Sequence, residues 1–581
     1  MDNQRLITWG LFAFLAFMTW QAWNQDYGPQ PAPPATETQA PDPTLGGGDL
    51  PGLSADDSDT LPAIQPADGS QAMPVETSEA EAPAARVVTV RTDVMELHID
   101  TRGGALVYAE MLRYPVTKDR PEKVVLLSTA PNDTGVIRSW LRARDGAAPD
   151  AEAVYTAPRD QYELGDADEL IVPLSWTSGD GLVVEKRFVL RRGQYAIALE
   201  QHVTNNAETA WAGDQVTQLI RRALEPDRSM FDPDTYSFDG PLVFDGEKAE
   251  KLDLDDLADG DPEKYTGRNG NTTDDGWVAS IQHHFLSAVI PAEGSTNVYT
   301  VRLASGHTTA SVISAPETIE PGGSAVFERT LFVGPKLQDQ LAAIHPRLDL
   351  SVDYGLLTLL SAPMFWLLSW IHGFVGNWGW AIILVTLIIK LAFYKLTAAS
   401  GRSMAKMREI QPRMKALQDR YKDDRQALSQ AMMDLYKREK INPAAGCLPI
   451  LIQMPFFLAF YWVLIESVEM RQAPFALWIN DLSSKDPYFI LPLIMGAAML
   501  FQQKLNPAPP DPVQARVMQI MPVMFTVFFA FFPSGLVLYW VTNTLLSIAQ
   551  QWRINKVVHA EALARKAGRQ KKNRKGAEDT E

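Results

Sequence analysis

Hydrophobic and polar positions change rhythm along the chain. After Met1-Asp2-Asn3-Gln4-Arg5, the stretch Leu6 to Trp23 carries no charge. About 18 apolar residues suffice to cross a bilayer, and no clear small-x-small cleavage site follows, so residues 1–23 read as an uncleaved signal anchor, with a cleaved signal peptide as the alternative. From Arg86 to about Lys336 the period is two. Met95, Leu97 and Ile99 alternate with Glu96, His98 and Asp100 before the turn Gly103-Gly104. Phe188 and Leu190 lead through Arg192-Gly193 to Tyr195, Ile197 and Leu199. Further strands are expected around Tyr299 to Leu303, Val312-Ile313 and Val326 to Val333. Such strands punctuated by Gly and Pro predict a large antiparallel sandwich over residues 86–340.

Near Asp353 the rhythm becomes helical. Leu356, Leu360, Phe365, Leu368 and Ile371 predict a helix at 350–376, interrupted by Pro363 and His372 and read as an amphipathic helix in the membrane interface, with a seventh span as the alternative. Five apolar runs follow: 378–396, 447–468, 488–501, 517–532 and 535–552. With the anchor they predict six spans, with Tyr and Trp at several ends as interface anchors. The runs 488–501 and 517–532 fall short of the ~20 residues a full bilayer needs, which predicts local thinning or extension by flanking glutamines.

Charge sets the sidedness. Residues 24–85 are rich in Pro, Ala, Thr and acids, with no Lys or Arg, and form a tether too polar to bury a core. Its random-coil reach is about 40 Å. The net charge of −17 averages this acidic half with basic blocks. One block lies between Lys395 and Lys440, and another runs from Arg565 to Lys575 in the tail 553–581. Both belong on the cytoplasmic side, whereas the 470–487 loop has no basic excess and suits the outside. Both termini are thus expected in the cytoplasm and the β-rich domain outside. The lone Cys447 excludes an intramolecular disulfide.

The residue richest in chemistry is Lys390, inside Ile382 to Leu391. A lysine at the centre of a span costs about 2.5–3.5 kcal/mol on insertion scales, which points to a polar cavity. The alternative is snorkelling, because Lys390 lies about 9 Å of helix from Leu396. Thr386 is one turn earlier on the same face. Gln453 lies between Pro449 and Pro455, and Asn543, Ser547 and Gln550 share a stripe in the last span. Polar groups in a bilayer must face one another or water, predicting a hydrated groove or interhelical hydrogen-bond glue.

The basic segment 398–442 reads as a helical hairpin broken near Lys422-Asp423-Asp424. Met404, Met407, Met414 and Leu417 precede the turn, and Leu428 and Met432 follow it. This stripe is an adaptable binding face or the hairpin's own seam. The basic tail suits RNA or anionic lipid, or is solvated. His283-His284 lacks metal-ligand spacing, no nucleophile elbow is present, and neither catalytic residue nor cofactor is expected.

The second half resembles the YidC/Oxa/Alb insertase family. The resemblance is carried by Phe374-Val375-Gly376-Asn377-Trp378-Gly379, Ser403 to Met407, Gln411-Pro412, Asn442-Pro443, Gly446 to Pro449 and Ile452 to Pro455. Arg471 to Ile479 and Phe532 to Leu536 complete it. The anchor, tether and β domain resemble the Gram-negative form, whose outer domain is a β-supersandwich similar to sugar-mutarotase folds. The resemblance implies a polytopic inner-membrane insertase and chaperone, not an enzyme. It would act on nascent membrane proteins alone or with the Sec translocon and its accessory subunits. The tail would meet the ribosome, the hairpin would receive substrate, and lipids would surround the bundle. It also implies a groove in which Lys390 stands where relatives usually have Arg, with Thr386, Gln453, Trp540 and Asn543 at groove or substrate-contact positions. Lys395 replaces a common Pro, and Trp540 a common Tyr. The competing readings are an ion or solute transporter using Lys390, and a carbohydrate-active enzyme based on the β domain.

Overall fold

The computed structural model describes residues 84–118, 120–223, 237–258, 272–352, 354–421, 424–439, 448–505 and 512–578. The expected anchor, nearly all of the tether, the Asn442-Pro443 end of the hairpin and Cys447 lie outside the described residues.

Among the described residues the β domain comprises an eleven-stranded and an eight-stranded sheet. Pairing is antiparallel except where Val87–Arg91 lies parallel to Gln161–Glu163. The predicted alternation holds: Met95, Leu97 and Ile99 are fully buried, while Glu96, His98 and Asp100 are partly exposed. Strand Leu182–Arg191 turns at Gly193 and returns antiparallel as Ala196–Asn205. Gly103 and Gly104 both take left-handed backbone, and a Cβ on Gly103 would lie 2.3 Å from the Ala151 carbonyl oxygen. That turn therefore requires glycine.

The two sheets are clipped together by a buried lysine. Lys186, on the smaller sheet, is fully buried and reaches the larger one. Its ammonium donates to the carbonyls of Gly103 at 2.6 Å and Ser139 at 2.5 Å, and lies 4.7 Å from the centre of the Tyr155 ring. The Ser139 hydroxyl meets Thr217 at 2.9 Å and accepts from Gln201 at 2.9 Å. Desolvation lowers the ammonium from its ordinary value to about 7. The unfolded chain therefore binds more protons above that value, and stability rises with pH from about 7 towards the ordinary lysine range; below about 7 the burial cost is fully present. Native-state hydrogen exchange of Leu182–Arg191 in the full chain is expected to slow from about pH 7 to about pH 9 once intrinsic exchange is corrected. Lys186→Met is expected to flatten that slope.

Nine helices bear on the argument: α1 (Gln338–Ile344), α2 (Thr358–Val375), α3 (Trp378–Ala392), α4 (Tyr394–Arg420), α5 (Arg425–Glu439), α6 (Leu448–Glu466), α7 (Ile490–Leu505), α8 (Pro512–Phe529) and α9 (Ser534–Glu578). By length and composition α2 is apolar enough to cross a bilayer, and α3 and α4 pass the same test only together, bent by 69°. The apolar helices Ile452–Glu466, Ile490–Leu505 and Ala515–Phe529 are shorter. The expected run 378–396 thus ends early, at Phe393, whose ring stands edge-on to Phe456 at 5.1 Å. The helix read as interfacial is apolar on two sides. Met364, Phe365, Leu368 and Ile371 are buried, whereas Trp366, Trp370 and Phe374 are exposed. The last apolar run and the tail form one 45-residue helix, about 67 Å long at 1.5 Å per residue. The side chains of the basic cluster Arg565 to Lys575 lie outside the described residues.

The β domain sits on the bundle through a buried polar seam. Lys336 meets Glu466, the last residue of α6, at 3.3 Å, with side chains 1% and 5% exposed. Ser237 donates to the same carboxylate at 3.1 Å, and the His283 ring meets the Ile465 carbonyl at 3.1 Å. His283-His284 is thus a tight turn at the seam, its rings stacked 3.7 Å apart. Burial pushes Glu469, just beyond, up to about 7.

Candidate functional site

The long helix α9 packs against α3, α4 and α7, and its polar stripe meets α3 at Ser547 and α4 at Gln550, which donates to the Tyr394 carbonyl at 3.4 Å. Lys390 lies in the last turn of α3, where the negative end of the helix dipole favours a cation. The residue is 7% exposed, and its ammonium donates to Ser547 Oγ at 2.8 Å. Ser547 in turn donates to the Asn543 carbonyl at 2.7 Å. Thr386 is buried and donates to the Ile382 carbonyl within its own helix at 2.7 Å. Among the described residues no carboxylate pairs with Lys390, so the ammonium is held by a neutral hydroxyl and keeps donors free for another acceptor. It lies about 18 Å along α3 from Trp378.

Beyond this level the outer ends of α3 and α9 are sealed. Asn377 caps α3 by accepting from the Trp380 N–H at 3.1 Å and donates to the Phe475 carbonyl at 3.0 Å. Phe475 lies where a Cβ on Gly379 would be, 2.0 Å from its ring. A side chain at 379 would therefore lift the loop from the helix. At α9, Ser534 Oγ shares its one proton between the carbonyls of Asp481 at 2.6 Å and Ser484 at 2.8 Å, and the Gly535 N–H donates to Leu482 at 2.9 Å. Asp481 accepts from Ser483 and Ser484, and Asp486 from Trp478 Nε1 and two backbone N–H groups. The β domain holds the same loop from above. Lys118 donates to the Asn480 carbonyl at 2.6 Å, and Arg471 to Pro115 and Val116 at 2.9 and 3.0 Å.

Lys390, Ser547, Asn543 and Thr386 therefore lie on the facing helices α3 and α9. Trp540 lies about two turns of α9 before Ser547. It is packed among rings, with Phe457 at 4.7 Å, Phe529 at 5.2 Å and Phe525 at 6.4 Å, in an aromatic wall linking α6, α8 and α9. Gln453 is half-buried on α6. In the hairpin, Ile410 and Met414 are buried against Met407, Met432, Leu435 and Tyr436, so much of the methionine stripe is the seam between α4 and α5. Met404, Leu417 and Leu428 are half-buried, while Met433 is exposed. Sequence reasoning missed the sealing residues Asn377, Asp481, Asp486 and Ser534. Asn before an apolar helix is a cap signal, and an Asp-rich stretch between two runs is a turn signal.

Two family models match the chain: 60Kd inner membrane protein over residues 370–561, and YidC periplasmic domain over residues 87–367. The chain is 47% identical over 569 residues to the membrane protein insertase YidC of Thioalkalivibrio sulfidiphilus, covering 96% of this chain and 98% of that protein. The counterpart from Nitrosococcus oceani is 46% identical over 567 residues, with 97% and 100% covered. A solved structure described as an active YidC insertase with its first transmembrane domain resolved is 22% identical. It covers 81% of this chain and 94% of that one, at a TM-score of 0.37.

Proposed function

The chain belongs to the YidC family of inner-membrane protein insertases, and on that premise we propose that Lys390 is the working charge of a hydrophilic groove between α3 and α9. The observation that carries the reading is the ammonium held on Ser547 with no carboxylate partner among the described residues, below an outer seal made by the 471–486 loop. A polar or acidic substrate segment entering from the cytoplasmic side would exchange some of its water for Lys390, Ser547 and Asn543. That lowers the cost of carrying it into the hydrocarbon layer. The attached apolar helix would leave along the aromatic wall around Trp540, which offers packing and no charge.

This work needs neither nucleotide nor covalent chemistry, because the free energy comes from burying the substrate's apolar helix in lipid. The hairpin α4–α5 would receive substrate on its exposed residues, Met433 among them, since the buried part of the stripe is occupied by its own seam. The basic extension of α9 would meet the ribosome or anionic lipid. The β domain and outer loops would meet the Sec translocon and its accessory subunits. A six-span arrangement with both termini cytoplasmic accommodates these roles and the charge distribution.

The purified chain in vesicles free of Sec components is expected to insert a small one-span substrate with an acidic outer segment, read as protease protection of that segment. Equal insertion by empty vesicles would refute the reading. Ion flux that depends on Lys390, with no effect on insertion, would favour a transporter.

A further inference from the structure

The outer loop carries a feature that its sealing role does not use. The Phe475 N–H donates to the Ile479 carbonyl at 3.0 Å, and the Ile479 N–H to Ala476 at 3.1 Å, which closes a four-residue turn. Its second residue, Leu477, has φ of +56°. Turns with left-handed backbone there ordinarily take Gly, Asn or Asp, because a branched side chain is strained. Leu477 is nevertheless 87% exposed, so its side chain contributes little packing to the fold. Both flanks are fixed, Phe475 on Gly379 and the Trp478 indole N–H on Asp486 at 3.1 Å. A rigid, strained turn thus presents a large apolar side chain outward.

Position identifies what it meets. The turn lies over the first turn of α3, where Phe475 stands edge-on to Trp380 at 5.5 Å and Asn377 holds the loop backbone. Trp380 is 52% exposed, and Phe374, three residues before the Asn377 cap, is 74% exposed. Exposed aromatic residues at the end of a membrane helix mark the boundary between headgroups and acyl chains. Leu477 continues that belt from the loop side.

We propose that the Ala476–Ile479 turn is a lipid wedge, with Leu477 seated in the headgroup–acyl boundary of the outer leaflet beside Trp380 and Phe374. The wedge ties the outer seal to the membrane, while Lys118 and Arg471 tie it to the β domain. The proposal rests on the membrane placement of the bundle and is independent of how the groove works.

The test uses the full chain carrying Cys447→Ser, reconstituted in lipid vesicles without other proteins. An environment-sensitive fluorophore is attached at Leu477→Cys or, as a water-exposed control in the β domain, at Glu293→Cys. The expected result is blue-shifted emission at 477, quenched by lipids carrying a nitroxide near the headgroup, and unquenched emission at 293. Emission at 477 matching that at 293, or quenching that appears only when a partner protein is added, overturns the proposal. A second pair separates the side chain from the loop. With the reporter at Ala476→Cys, quenching is expected with Leu477 and lost with Leu477→Asn, a residue suited to the same backbone. Quenching retained in the Asn variant would show that the loop, and not Leu477, is the anchor.

Discussion

Cells depleted of their own insertase are expected to grow on the Lys390→Arg variant, to insert poorly with Lys390→Ala, and to fail with Lys390→Glu. The ammonium is buried between α3 and α9 and bound to one neutral hydroxyl, so its charge is available to an incoming segment. An unpaired acid carried to the centre of a membrane helix costs about 2.5–3.5 kcal/mol on insertion scales, and a nearby ammonium offsets part of that cost. Even half of that, withheld from a passing acidic segment, slows its transfer about tenfold. Arginine keeps the charge and adds donors in a planar fork. Glutamate places a carboxylate where the substrate's acids arrive and leaves Ser547 with a different partner. Insertion rates of a one-span substrate, measured as protease protection across the four side chains, check the order. Complementation by the Glu variant would mean that the charge has no role in transport. Ser547→Ala is expected to have a smaller effect, because it leaves the charge in place and removes one hydrogen bond to it, typically about 1.5–3 kcal/mol.

The second large effect is expected at the seam between the domains. Lys336 and Glu466 are nearly fully buried and 3.3 Å apart, with Ser237 on the same carboxylate. Removing one partner strands the other charge away from water, which typically costs about 3–5 kcal/mol. Glu466→Ala or Lys336→Ala should therefore loosen the β domain on the end of α6. Hydrogen exchange should rise at Ile465–Arg471 and in the 115–118 turn, which is held by Arg471 and Lys118. The double substitution Lys336→Met with Glu466→Leu should recover most of the loss, because an apolar pair of similar volume has no charge to desolvate. Single variants as protected as the parent would show that the pair is not what docks the domains.

The β domain was legible because period-two alternation maps directly onto burial, as at Met95 to Asp100. The charge of Lys390 was legible as well, since a lone lysine in an apolar run must be answered by something. Ser547 could be placed on a stripe but not paired, because helical spacing gives a face and not its neighbour. Trp540 shows the limit more sharply. Its place in the last span invites a groove or substrate-contact assignment, and its packing against Phe457, Phe525 and Phe529 could not be read, because they come from helices that no local pattern aligns with it. The methionine stripe was ambiguous for the same reason, as an apolar face looks alike whether it meets a partner or its own hairpin. The seam was missed because Lys336 closes a strand and Glu466 a helix, 130 residues apart. An acid at the end of an otherwise uncharged run such as Leu448–Glu466 is the signal that a partner should be sought.

The most direct test of the groove is photo-crosslinking from two positions on α9 to a ribosome-stalled one-span substrate. A crosslinker at Asn543, half-buried on the Lys390 side, is expected to capture the polar outer segment. One at Trp540, in the aromatic wall, is expected to capture the apolar helix. The Asn543 product should disappear with Lys390→Glu while the Trp540 product persists. Capture of the apolar helix at both positions, or a polar-segment product unaffected by Lys390→Glu, would contradict a charged groove between α3 and α9.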